Sequence, residues 1–163
     1  MVNKTEKYED SIEQLFKNST LKMNLGCGAD YRKGWLNVDA DENVKSDVVW
    51  TLGNSPFPSK KEKFDGILCS HVLEHVPDLK NAKKELHRLL TPNGLLMVVV
   101  PNYLSLDAWG DDTHCRAFSM HSFMPGFWPG FAVSKTGSLH LVKAEDGMSN
   151  ELLWLVFTVR KEK

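Results

Sequence analysis

The stretch that decides the fold is Met-Asn-Leu-Gly-Cys-Gly-Ala-Asp at residues 23–30, followed by the apolar run Trp35 to Val38 and then by Asp39. A strand that ends in a glycine turn, beside a second strand that ends in a carboxylate, is typical of α/β sheets that hold a nucleoside. Glycine lets the backbone approach the ligand closely, and the carboxylate accepts hydrogen bonds from ribose hydroxyls. The pattern therefore predicts a nucleoside-containing cofactor at Gly26, Gly28 and Asp39.

The composition is that of one domain large enough to bury a core. Its 163 residues carry 20 Lys and Arg against 21 Asp and Glu, a formal charge of −1. No basic field attracts nucleic acid or an anionic membrane, so a nucleic-acid acceptor is unfavoured. No apolar run reaches the roughly 20 residues of a membrane span, and no signal peptide is evident. Cys27, Cys69 and Cys115 are few and far apart, as expected of reduced thiols in a soluble, cytoplasmic protein. The oligomeric state stays open.

Short apolar segments predict strands at five places along the first hundred residues, namely 21–25, 35–38, 47–50, 64–69 and 95–100. A helix is predicted over Asp78 to Leu90, with Asp78 as its N-cap, because its apolar residues recur at helical spacing. A single domain, 1–163, follows from this order. We divide it into an N-terminal packing helix over 1–20, a donor-binding core over 21–100, a possible lid or acceptor segment over 101–137, and a C-terminal antiparallel hairpin over 138–163.

Residues 101–131 contain seven aromatic side chains among prolines, glycines and polar residues, without a sustained period. Two interpretations stay open for this segment. It forms a lid over a pocket, or it packs irregularly against the sheet.

The spacing after Gly28 bears on which cofactor is bound. A dinucleotide site needs a third glycine at the start of a long helix that receives the pyrophosphate. Here Tyr31 holds the third-glycine position, and nine residues separate Leu25 from Trp35, where a crossover usually needs about a dozen. The first helix must be shortened to about one turn, which favours the phosphate-free S-adenosylmethionine over NAD. No Gly-Lys-Ser/Thr follows, so a phosphate-binding loop is excluded.

Several segments in order resemble the motifs of class I S-adenosylmethionine-dependent methyltransferases, especially small bacterial and archaeal members. They are Leu-Gly-Cys-Gly at 25–28, Gly-Trp-Leu-Asn-Val-Asp at 34–39, the run from Phe64 to Asp78, and Leu-Thr-Pro-Asn-Gly at 90–94. Residues 111–119, Asp-Asp-Thr-His-Cys-Arg-Ala-Phe-Ser, resemble an Asp-Pro-Thr-His-x-Arg-x-Phe-Thr segment of such enzymes. The resemblance implies a Rossmann-like, doubly wound α/β fold, with a mostly parallel seven-stranded sheet and an antiparallel last strand.

The resemblance also implies a donor site, whose product would be S-adenosylhomocysteine. Its expected residues are Gly26, Cys27 and Gly28 near the methionine and ribose, Asp39 on the ribose hydroxyls, Ala40 and the Leu52 backbone near the adenine, and Ser70 and His71 toward the methionine end and the acceptor. Two positions depart from the usual pattern, because Asn24 and Thr51 stand where the family often has acids. Asp30 is expected to compensate for the first departure, and the Leu52 backbone for the second.

Methyl transfer is an in-line displacement that depends mainly on alignment, and it needs a base only when the acceptor must lose a proton. His71 and His114 are the catalytic candidates because each lies in a segment that resembles a family motif. His75 and His121 are further candidates, with Glu74 or Asp112 as orienting partners. For each histidine the alternative is an ordinary hydrogen-bonded loop residue.

Two other functions compete with this prediction. His71-x-x-Glu74-His75 matches the His-x-x-Glu-His spacing of a metallopeptidase class, with His114, Cys115 or His121 as further ligands. Pro77 would disrupt the helix that such a metal hydrolase requires, so we expect no metal. The second alternative is a non-catalytic S-adenosylmethionine-binding partner or regulatory protein, favoured by Asn24, Thr51 and the small size. The sequence predicts a small-molecule acceptor and does not identify it.

Overall fold

The computed structural model describes residues 4–58, 63–124, 126–143 and 149–159. Within these ranges the α-helices are α1, Lys4–Phe16, and α2, Leu79–Leu89. Short 3₁₀ helices lie at Leu73–His75, Leu106–Ala108 and Met120–Phe123. The strands are β1 Lys22–Leu25, β2 Leu36–Asp39, β3 Val48–Val49, β4 Phe64–Ser70, β5 Leu90–Pro101, β6 Phe131–Lys143 and β7 Ser149–Val159.

The seven strands form one sheet in the order β3-β2-β1-β4-β5-β7-β6. Strands β1 to β5 are parallel to one another, and β7 is antiparallel to both of its neighbours. The predicted doubly wound sheet with an antiparallel last strand is therefore confirmed. Strand β2 pairs with one side of β1, and β4, which follows later in the chain, pairs with the other side. The strand order therefore reverses at β1. Sheets of this kind bind ligands at such a topological switch point, at the carboxyl ends of the strands.

The sheet is covered on both faces, and the alternation of side chains in its central strands shows this directly. Ile67 and Cys69 of β4 pack into the core cluster that α2 covers, whereas Leu68 packs into the cluster that contains Ile12 and Phe16 of α1. The predicted N-cap of α2 is also present, because the Asn81 backbone N–H donates to Asp78 Oδ1 at 3.0 Å. None of the described helices has the length and apolar character needed to cross a membrane.

Strand boundaries differ from the prediction at two places. Strand β6 starts at Phe131 rather than Ser138, so residues 131–137 belong to the sheet and not to the acceptor segment. A register shift between Val133 and Lys135 breaks the alternation that would have revealed this strand. Strand β5 starts at Leu90 rather than Leu95, and residues 91–94 bulge from its pairing, with Leu90 opposite Phe64 and Leu95 opposite Gly66. Residues 144–148 of the predicted C-terminal hairpin lie outside the described residues.

The single helical turn predicted between β1 and β2 is absent. Residues 26–35 contain no helix and form two hydrogen-bonded turns, closed by Asp30 N to Cys27 O at 2.8 Å and Trp35 N to Arg32 O at 3.2 Å. A helix N-terminus is thus missing at the position where a dinucleotide fold would bind its pyrophosphate.

Candidate functional site

The glycine turn after β1 and the carboxylate after β2 lie against each other. Gly26 and Gly28 have φ values of 67° and 49°, in the left-handed region that favours glycine. The Gly28 N–H donates to Asp39 Oδ2 at 2.7 Å, and the Asp41 N–H donates to Asp39 Oδ1 at 3.0 Å. Each carboxylate oxygen keeps a further lone pair, so Asp39 can still accept hydrogen bonds from two vicinal hydroxyls.

A buried amide network replaces the missing helix as the support of this turn. Asn37 on β2 is fully buried, and its Oδ1 accepts from Arg32 N at 2.8 Å and from Asn24 Nδ2 at 3.2 Å. Its Nδ2 donates to the backbone oxygens of Arg32 and Trp35 and to Asp47 Oδ2. The loop is held by side chains of two neighbouring strands rather than by helical hydrogen bonds.

Asn24, one of the two departures from the family pattern, is part of this network. Its Nδ2 donates to the backbone oxygen of Asp30 at 2.6 Å. The Asp30 carboxylate accepts instead from Arg32 Nε at 2.7 Å, and Arg32 also pairs with Glu9 of α1. Asp30 therefore supports the loop through its backbone, and its carboxylate is bound to Arg32.

The remaining residues of the predicted donor site lie along the same edge of the sheet. Ala40 follows Asp39 and is exposed, as is Thr51 after β3. The Leu52 side chain belongs to the core, so this residue has only its backbone to offer a ligand. Cys27 is buried, and burial, reinforced by the Asp39 charge, raises the pKa of its thiol. A raised pKa makes Cys27 a poor nucleophile.

Strand β4 ends beside the glycine turn and presents His71 there. Cys69 pairs with Leu25, so Ser70, the last residue of β4, lies at the height of Gly26, and His71 follows directly after the strand. His71 has φ of 54°, and its N–H donates to Val99 O at 2.9 Å. Non-glycine residues held in this region cost about 1–3 kcal/mol and cluster at functional sites. The imidazole is 46% exposed, and its Nδ1 lies 3.4 Å from Glu74 Oε1.

The segment around His114 folds onto the turn that follows His71. The Cys115 backbone N–H donates to Glu74 O at 2.9 Å, and Arg116 Nη2 donates to the carbonyls of Val76 and Pro77 at 2.7 Å each. The rings of His75 and His114 meet edge to face, with centroids 4.6 Å apart. Two motifs that are separate in sequence thus form one cluster.

The cluster differs in detail from the sequence predictions. Asp111 Oδ2 lies 3.8 Å from His114 Nε2, whereas Asp112, the predicted orienting partner, is exposed. His121 lies apart from this group on an exposed 3₁₀ turn. Sequence reasoning missed Asn37 and Arg116 as supports of the site. The polar Asn37 inside the apolar run 35–38 was a signal that could have identified one of them.

The aromatic segment divides between the two interpretations left open for it. Phe118, Phe123, Trp128 and Phe131 are buried in the core. Tyr103, Trp109 and Phe127 are exposed. An open cleft of about 600 Å³ is lined by Asn102, Tyr103, Trp109, Ala117, Ser119, Met120, His121 and Ser122. Because this cleft begins directly after β5, it opens at the same edge of the sheet as Asp39 and His71.

The strand order and this site define a Rossmann-like methyltransferase fold. A family model described as a methyltransferase domain matches residues 6–128, and the chain belongs to this family. S-adenosylmethionine is the cofactor of such enzymes, and the residues present fit it. The glycine turn is open, no phosphate-binding helix follows β1, and the Asp39 carboxylate retains acceptor capacity.

Individual relatives are distant. The chain is 29% identical over 105 residues to the human mitochondrial arginine-hydroxylase NDUFAF5, a match that spans 54% of this chain and 30% of that protein. Among solved structures, the N-methyltransferase NodS from Bradyrhizobium japonicum superposes with a TM-score of 0.66 at 14% identity, covering 96% of each chain. A putative methyltransferase from Haloferax volcanii, solved with the Trm112 methyltransferase activator, gives 0.68 at 15% identity over 88% of this chain and 83% of its own. At such identities the structural likeness concerns the fold alone.

Proposed function

We propose that the chain transfers the methyl group of S-adenosylmethionine to a small molecule whose apolar or planar part occupies the aromatic cleft. The observation that carries this proposal is the position of two features at one edge of the sheet. The turn with Asp39 lies after β1 and β2, and the cleft lined by Tyr103 and Trp109 opens after β5.

In this proposal the donor is held by Gly26, Cys27, Gly28 and Asp39, with Ala40 and the Leu52 backbone at its adenine end. When bound, it supplies a methyl group already activated by a sulfonium. The chain has only to align an acceptor with that group and to exclude water, and alignment alone can lower a barrier by about 7–11 kcal/mol in the best cases. Exposed aromatic faces in the cleft suit a flat or apolar acceptor.

His71 is the better of the two predicted bases. Its Nδ1 faces Glu74, so its Nε2 is on the opposite, solvent-accessible side of the ring. The His114 side chain is only 9% exposed and faces Asp111 and the rest of the cluster. We assign His71 the removal of a proton from the acceptor, at Nε2, when the acceptor requires it.

The donor half of the proposal is tested by Asp39→Ala. We expect the dissociation constant for S-adenosylmethionine to rise at least tenfold, which corresponds to about 1.4 kcal/mol, because two hydroxyl contacts are lost. Isothermal titration measures the constant, and circular dichroism checks that the fold is kept. Asp41→Ala is the matched control, because its exposed carboxylate binds Asn43 within its own loop. An unchanged constant in Asp39→Ala contradicts the assignment.

The acceptor half of the proposal is tested with S-adenosylmethionine that is labelled in its methyl group and with fractionated acceptors. Label is expected in a small-molecule fraction rather than in protein or nucleic acid, and Trp109→Ala should lower the transfer rate without changing donor affinity. Tight donor binding with no transfer to any fraction would favour the non-catalytic alternative. Absence of donor binding would refute both.

A further inference from the structure

The Glu74 carboxylate is the least satisfied charged group in the described part of the chain. Its side chain is 1% exposed, and within the described residues neither oxygen has a hydrogen-bond partner. Burying a carboxylate without compensation costs several kcal/mol, so such a group is normally paired or bound to a metal. His71 Nδ1 lies 3.4 Å from Oε1 without forming a hydrogen bond, and this imidazole compensates the carboxylate charge only when it is protonated.

The cluster offers metal ligands around this carboxylate. One ligand atom each from Glu74, His75 and His114 lies within 4.8 Å of the other two. Two imidazoles and one carboxylate form a donor set that divalent transition metals such as Zn²⁺ prefer, and such sites leave a coordination position open for water or substrate.

The hydrogen bonds of both histidines favour metal binding through Nε2. Thr113 Oγ1 donates its proton to Asp111 Oδ1 at 2.6 Å. His75 Nδ1 lies 2.8 Å from Thr113 Oγ1, so it must be the donor in that contact. His114 Nδ1 lies 3.3 Å from the Ala108 carbonyl, which can only accept. In the neutral imidazoles both Nε2 atoms therefore carry the free lone pair, as in metal sites whose outer hydrogen bonds fix the tautomer.

We propose that Glu74, His75 and His114 bind one divalent transition-metal ion of the Zn²⁺ type. The ion reaches the buried Glu74 from the side of the exposed His75. The Asp111 carboxylate, 3.8 Å from His114 Nε2, adds negative charge that favours a cation.

This ligand set differs from the one weighed in the sequence, where no metal was expected. His71 is outside the set and Glu74 replaces it as a ligand, whereas His75 and His114 belong to both sets. The objection from Pro77 also no longer applies, because no helix has to present the ligands. A 3₁₀ turn at Leu73–His75 holds two of them, and hydrogen bonds from Cys115 to this turn and from Arg116 to Val76, the residue after it, hold the segment of the third in place.

The test uses the full chain without an affinity tag, stripped with EDTA and dialysed. Titration with Zn²⁺ by calorimetry, and with Co²⁺ by visible absorption, should give one ion per chain and the d–d bands of a low-coordinate site. Glu74→Gln and His114→Gln should each weaken affinity at least tenfold. His121→Gln, which removes an exposed histidine outside the cluster, should bind as the unchanged protein does.

Folding is checked separately, because the melting temperatures of the metal-free variants show whether each is intact. Zn²⁺ should raise the melting temperature of the unchanged chain and of His121→Gln and leave the other two unaffected. Less than one ion bound to the unchanged chain, or an affinity in Glu74→Gln and His114→Gln equal to that of the unchanged chain, would overturn the proposal. S-adenosylmethionine binding to the stripped protein, measured in parallel, keeps this result independent of the proposed methyl transfer.

Discussion

At the residue scale, Gly26 is fixed by two separate physical demands. Its φ of 67° is in the left-handed region, and a Cβ built on it would lie 2.2 Å from Val72 Cγ2. Gly28 has the same type of backbone, with φ of 49°, and nothing within 4 Å of its Cβ position. A substitution of Gly28 therefore costs backbone strain alone, whereas a substitution of Gly26 costs backbone strain and a steric clash.

We expect Gly28→Ala to lower the free energy of unfolding by about 1–2 kcal/mol, the cost of a left-handed conformation. Gly26→Ala should lose about 1–3 kcal/mol more, because Val72 must move. Urea denaturation measures both losses. Adding Val72→Ala to Gly26→Ala should remove the extra loss, and equal losses in the two single variants would show that Val72 does not close the turn.

At the element scale, the crossover from β1 to β2 is stabilised by side chains instead of a helix. The Asp47 carboxylate accepts from Asn37 N at 2.7 Å and from the Tyr31 hydroxyl at 2.7 Å. Both bonds lower the pKa of Asp47, and the bond from the Asn37 N–H has the larger effect. The bond to Asp47 in turn raises the pKa of Tyr31. The loop between β1 and β2 is thus stabilised by the hydrogen bonds of an ionised Asp47.

The pH dependence follows from the lowered pKa of Asp47. A carboxylate whose pKa is lower in the folded than in the unfolded state stabilises the fold above its ordinary pKa of about 4. That contribution is lost as the pH falls through the lowered value. Asp47→Asn should be less stable than the unchanged chain at pH 7, and the difference should close toward pH 3. Urea denaturation at several pH values tests this, with Asp112→Asn as the exposed control, and a difference independent of pH contradicts it.

At the scale of the whole molecule, the site depends on the contact between the turn after β4 and the segment around His114. Arg116 joins them through its two bonds to the carbonyls of Val76 and Pro77. This contact joins the parallel part of the sheet to the aromatic segment. No local sequence pattern links these two parts of the chain.

Arg116→Ala should lower the free energy of unfolding by about 1.5–3 kcal/mol, the usual value for hydrogen bonds from a charged donor. It should leave donor affinity unchanged, because the glycine turn and Asp39 make no bond to Arg116. The matched control is Arg88→Ala. The Arg88 guanidinium binds Glu85 one turn away in α2, and its removal should lower the free energy of unfolding by less than about 1 kcal/mol. Urea denaturation measures the free energy of unfolding, and calorimetry measures the donor affinity. Loss of donor affinity in Arg116→Ala would contradict the prediction, because it would show that donor binding is coupled to the contact that Arg116 makes.

Local patterns were sufficient to predict most of the fold. The helix α2, its Asp78 cap and the parallel strands follow from hydrophobic periodicity and capping chemistry, which act over a few residues. The start of β6 could not be predicted, since a register shift near Ser134 breaks its alternation and its pairing with β7 is a long-range contact. Lone polar residues such as Asn37 gave a signal without showing which groups they bind.

The sequence by itself determined the class of protein and its methyl donor, because closely spaced glycines and a strand-end carboxylate carry that chemistry locally. Only the tertiary structure decided which histidines lie together. It placed Glu74, His75 and His114 in one cluster and left His71 exposed beside it, although Cys115, which binds the Glu74 carbonyl, lies 41 positions further along the chain. Contacts between such distant segments depend on how the sheet is wound and on which buried charges must be satisfied, and no spacing in the chain encodes either.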